Sequence, residues 1–257
     1  MTQFPPTEPE ITVRDRPGET MTVECRDARS FFVLLEEGAC CEFAFYDYPQ
    51  RCLTGISRMR VEGRLLINGR ECFEIADYHW EPGQGQEAIL PNHWYLALEG
   101  GQLNWVRFVR REKGRIGRSE EIEATPIPTR LFVGLKAAGQ ETYICGNERR
   151  SDFIRSEVTG VVEVTIAGHR YRGLREVWTG LAEDGRPLTL AELFIGEQGR
   201  TVLFRRYNGR GHSNYELLKG NPESSHLGET YRLWYDCLPD HAVEGVPPQP
   251  GGEIHLC

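Results

Sequence analysis

Short apolar runs separated by glycine-bearing turns dominate the chain from about Phe43 to Tyr207. Runs of this length, rich in β-branched and aromatic residues, predict strands. Arg64-Leu65-Leu66-Ile67 leads into Asn68-Gly69 and then into Arg70-Glu71-Cys72-Phe73-Glu74-Ile75. Asn-Gly between apolar segments predicts a hairpin, because a two-residue type I′ turn needs positive φ at both central positions. Val161-Val162-Glu163-Val164-Thr165-Ile166, Ala167-Gly168 and His169-Arg170-Tyr171-Arg172-Gly173-Leu174 repeat the device, and Ala191–Ile195 followed by Thr201–Phe204 predicts a third hairpin with a longer loop.

Laid over each other, the first two hairpins bring their surroundings into register. Val61-Glu62-Gly63 falls on Val158-Thr159-Gly160, Trp80 on Trp178, and Val106–Arg111 on Val202–Arg206. The pattern predicts two copies of a β unit, residues 43–112 and 141–208. Their period is too long for a solenoid, which favours a closed two-unit arrangement over an array. The expected fold is all-β: one domain over residues 1–257, an antiparallel barrel or sandwich built from two related hairpin units, with one or two short helices. One helix is expected over Arg130–Ala138, capped by Thr129 and ended by Gly139. Phe31–Leu35 fits either a buried strand or a helix ending at Gly38. Val246–Gly252 carries three prolines and two glycines, so residues 246–257 read as a loose tail.

Composition narrows the partners. The formal net charge of −8 and the pI near 5.5 oppose binding to nucleic acid or to an anionic membrane surface. Arg110-Arg111 and Arg205-Arg206 read as solvated strand faces. No stretch approaches the roughly 20 apolar residues of a spanning helix, and the polar, proline-rich start lacks the features of a secretory leader. A cytoplasmic location is therefore the default expectation, with the 8 cysteines as reduced thiols. Nothing in the sequence indicates a homo-oligomer.

No linear enzyme signature occurs: there is no GxSxG, GxxxxGK[ST], HExxH or strand-to-helix GxGxxG. Asp77 and His79, two apart on a predicted strand, point the same way and could act as acid and base, with Glu176 as a further carboxylate. Trp80, Trp105, Trp178, Arg107, Arg205 and Tyr207 are the residues expected to line a site for a small, partly anionic or aromatic molecule. The alternative for the tryptophans is the core, and for the charged residues cross-strand pairs on the outer face. Cys237, His241, His255 and Cys257 offer two thiolates and two imidazoles for zinc, but their spacing matches no familiar zinc ribbon, and no metal or other cofactor is expected. Three functions remain: small-molecule binding as the first reading, a cofactor-independent isomerase or hydrolase as the second, and a protein-interaction module without a pocket as the third.

Overall fold

The computed structural model describes residues 6–27, 33–48, 51–83, 90–112, 115–166, 168–181, 187–209 and 228–234. The zinc-type residues and the tail over 246–257 lie outside them. Two short strands come first, β1 (Ile11–Asp15) and β2 (Thr22–Glu24). A six-strand meander follows: β3 (Cys40–Tyr48), β4 (Leu53–Ile67), β5 (Arg70–Trp80), β6 (Asn92–Glu99), β7 (Gln102–Glu112) and β8 (Arg115–Ala124). After β9 (Ile127–Pro128) and β10 (Arg130–Phe132) comes a second meander of six. It comprises β11 (Lys136–Cys145), β12 (Glu148–Ile166), β13 (His169–Leu181), β14 (Pro187–Gly196), β15 (Thr201–Gly209) and β16 (Gly228–Trp234).

Fourteen of these strands belong to one antiparallel sheet, while β2 and β10 pair separately. The meanders meet through β8 with β11 and through β16 with β3. The expectation of an all-β antiparallel fold holds, but its helices do not: no described residue is helical. Arg130–Ala138 forms β10, a turn and the start of β11 instead. Leu131 pairs with Val23, Gly134 N–H donates to Val158 O at 2.8 Å, and Val158 N–H donates to Leu135 O at 2.9 Å. These long-range ladder bonds outweigh a weak local helix preference. Val33–Gly38, likewise, is bend and turn, with Leu34 bridged to Asp27.

Both meanders are built on the same local frame. Asn68 (φ 50°) and Gly69 (φ 79°) make the β4–β5 turn, and Gly168 (φ 84°) belongs to the β12–β13 turn. The pairing slips between Val61 and Gly63 in β4 and between Val158 and Gly160 in β12. At each slip the buried valine exchanges backbone hydrogen bonds with an incoming glycine turn. Gly38 N–H donates to Val61 O and Val61 N–H to Ala39 O, each at 2.9 Å, matching the Gly134, Leu135 and Val158 bonds above. Gly38 (φ 79°) and Gly134 (φ 88°) both hold the positive φ that a type II turn requires at its third position.

The sheet has two faces with separate clusters. The larger gathers Phe43, Met59, Val61, Ile75, Leu96, Phe108, Val158, Leu174, Leu193 and Phe204, together with Val23, Val33 and Leu131 from the segments before each meander. This is the core face. On the opposite face, Ala44, Tyr46, Val162, Val164, Ile166, Phe194 and Leu203 are covered by Ile11 and Val13 of β1, and Ala76, Tyr78 and Trp80 form another group.

Candidate functional site

The bulges fix which rungs correspond. Two rungs before Val61, Met59 pairs with Asp77; two before Val158, Ser156 pairs with Trp178. Trp178 therefore corresponds to Asp77, not to Trp80, and Glu176 corresponds to Ile75. The alignment of Trp80 with Trp178 is corrected by three rungs.

In the first meander this level is filled. Phe43, Ser57 and His79 share one rung, and Phe45 faces Gly55 on the next core-face rung. The His79 ring meets Phe45 edge-on at 5.0 Å between centroids, and Phe45 lies 5.4 Å from Phe43. His79 lies so close over Gly55 that a Cβ there would sit 2.6 Å from its Cε1. Beside it, Asp77 accepts from Ser57 Oγ at 3.1 Å and has Asn92 and Met59 as cross-strand neighbours. Burial pushes the Asp77 carboxyl up to about 7, although the Ser57 hydroxyl and the Trp94 indole N–H favour its charged form. Burial lowers the His79 imidazole, opposed by the negative charge of Glu81. Trp94 packs on Phe108 at 4.2 Å and on Trp105 at 5.4 Å.

In the second meander the same level is hollow. Gly180 faces Ile154 where His79 faces Ser57, and Gly139 stands where Phe43 does. Ser156 replaces Met59. Of these, Gly139 and Ser156 line a cavity of about 40 Å³ together with Trp178, Ile154, Glu141 and Thr125. It opens where β8 ends and Thr125-Pro126 leads the chain off. Gln140 N–H donates to Thr125 Oγ1 at 3.1 Å, and a Cβ on Gly139 would lie 2.9 Å from Thr125 Cβ. Thr125, Pro126 and Gln140 on the rim are exposed. Tyr143 donates its hydroxyl to Glu141 Oε2 at 2.8 Å. Burial raises the Glu141 carboxyl, Tyr143 opposes that, and the charge of Asp152 across the rung adds to it.

The structure does not bring the sequence-predicted ligand residues together. Trp105 is on the core face but packed among aromatic rings, 8% exposed. Trp80 is on the opposite face with Ala76 and Tyr78, under the Arg58 guanidinium 5.8 Å away. Arg107 is also turned outward, paired with Glu121 at 3.1 Å. Arg205 pairs with Glu192 at 3.7 Å and lies over Phe194 of the outer cluster. Both arginines thus pair with acids away from the core face. The Tyr207 side chain lies outside the described atoms. Asp77 and His79 share the core face, but each takes its electrostatic character from other neighbours. Glu176, 1% exposed, lies on a rung with Val158 and Leu193 in the other meander. The residues that line the hollow beside Trp178, among them Gly139, Glu141 and Ser156, carry no motif.

Free thiols are found at Cys25, Cys40, Cys52, Cys72 and Cys145. Among the described residues, no group of three or more histidines, cysteines or carboxylates is placed to hold a metal ion.

No protein-family model matches the chain, and none of the curated proteins matches it. Among solved structures it is similar to a "putative exported protein with YmcC-like fold" from Bacteroides fragilis, at 9% identity and TM-score 0.45, over 79% of this chain and 97% of that one. A "putative lipoprotein" from Parabacteroides distasonis is similar at 8% identity and TM-score 0.40, over 78% of this chain and 95% of that one. Neither name states a ligand or an activity. Both names run against the cytoplasmic location expected from the sequence, and that expectation is withdrawn.

Proposed function

We propose that this protein binds a small molecule, or the flat end of a larger one, in the Trp178 hollow. The observation that supports this reading is the contrast between two matching levels of the sheet. Where the first meander has Phe43, Met59 and His79, the second has Gly139, Ser156 and Gly180, beside an indole wall and a carboxyl. A cavity of about 40 Å³ exceeds the roughly 10–15 Å³ that one water requires, yet falls far short of a drug-sized site. It suits a small planar group. We further propose that the two meanders are copies of one unit that wrap around a shared interior, and that the second copy gained a binding site by losing bulk.

The test is direct. Indole N–H signals, with Trp178 assigned by Trp178→Phe, are followed by NMR against benzamide, indole, methylurea, methylguanidinium and benzoate. At least one compound should shift the Trp178 signal saturably, and Ser156→Met, which restores first-meander bulk, should abolish the shift while the protein stays folded. If no compound moves that signal, or if Ser156→Met leaves binding intact, the proposal fails.

A further inference from the structure

We infer that the group taken by the Trp178 hollow is a small flat organic cation of the guanidinium or amidinium class, stacked on the indole and paired with Glu141. This rests on the proposed binding site and adds the charge of its occupant. Among the described lining residues none is cationic, and Glu141 is the titratable group. The charged neighbour across the β11–β12 rung is Asp152, a second acid, and across the β8–β11 rung is Ala124, which has no charge. An anion would meet repulsion here, whereas a cation would relieve it.

The geometry favours a planar cation in particular. An indole face attracts a guanidinium through its quadrupole and accepts it as a stacked plane. Glu141 Oε2 already accepts from Tyr143, which holds the carboxyl in place, while among the described residues nothing donates to Oε1. A guanidinium lying on Trp178 carries several N–H donors in one plane and can give one to that oxygen. Burial and Asp152 disfavour the charged form of Glu141 in the empty site. An arriving cation reverses that preference, so binding releases the carboxyl proton to solvent.

Methylguanidinium, the neutral isostere methylurea and the anion acetate are compared by titration on the Trp178 indole signal. Methylguanidinium should bind at least tenfold more tightly than methylurea, and acetate should not bind. The advantage should disappear in Glu141→Gln. It should grow as pH rises through the Glu141 titration, with proton uptake by a weak indicator dye. Acetyl-arginine-amide, run in parallel, shows whether an arginine side chain satisfies the site as well as a free small cation; binding of either supports the inference. Equal binding of methylurea and methylguanidinium, or a cation preference that survives Glu141→Gln, overturns the cation assignment while leaving the hollow as a binding site. Silence from every compound overturns both.

Discussion

Asp77→Asn should stabilise the protein at neutral and alkaline pH and leave it nearly unchanged at about pH 4. The Asp77 carboxyl is raised from an ordinary value of 3.8 to about 7 by complete burial. The folded state therefore holds its proton more tightly than the unfolded chain does, and stability declines as pH rises from about 4 to about 7, where the penalty levels off. A difference of about three units at 1.36 kcal/mol each gives a full penalty of about 4 kcal/mol, of which about 2–3 kcal/mol accrues between pH 5 and pH 8. The figure is net of the Ser57 hydrogen bond at 3.1 Å and the Trp94 indole, which already favour the carboxylate. Asparagine keeps the shape and one acceptor oxygen but cannot ionise. Urea unfolding of both proteins at intervals across that range should give a difference curve near zero at about pH 4 that climbs by a few kcal/mol and flattens above pH 8. A pH-independent difference, or a variant less stable at every pH, would refute a buried, proton-retaining carboxyl.

Three shorter expectations test other parts of the structure. Gly199→Ala should cost more than about 3 kcal/mol in urea unfolding, because φ is 81° and the new Cβ would meet Glu24 O at 2.1 Å, whereas Gly168→Ala (φ 84°, open space) should cost only about 1–2 kcal/mol of backbone strain. Gly55→Ala should destabilise the wild-type protein yet cost measurably less in a His79→Ala background, a double-mutant coupling of about 0.5–3 kcal/mol, since the imidazole occupies the space the methyl needs. Arg107→Ala should change stability by less than about 1 kcal/mol and leave every Trp178 titration unaltered, because its partner Glu121 is on the exposed outer face.

The strands were legible because their signals are local. Asn68-Gly69 needs only its own two φ angles to turn the chain, and the apolar runs on either side of it supply their own periodicity. The helix expected at Arg130–Ala138 failed for the opposite reason. Its nine residues carry an acceptable cap and terminator, but Leu131 finds Val23 and Gly134 finds Val158, partners 108 and 24 residues away in the chain that no local window contains. The zinc-type cysteines and histidines lie outside the described residues.

The site was harder to read, and the reason is one of register. Aligning Trp80 with Trp178 by eye makes the two meanders look as if they present the same aromatic residue to one pocket. The Val-x-Gly bulges at Val61 and Val158 were visible in the sequence, yet their use as the fixed point of alignment depends on the ladder slipping there, which only the pairing reveals. Counted from the bulges, the informative difference is an absence of bulk: glycine at 139 and 180 against phenylalanine at 43 and histidine at 79. Sequence motifs are defined by side chains that are present, so Asp77 and His79 at the packed level stand out, whereas the matching level, where small residues make room, does not. Where two meanders carry the same bulge and turn, the more telling comparison is between corresponding rungs, because the common backbone frame leaves the side chains as the variable on which a cavity depends.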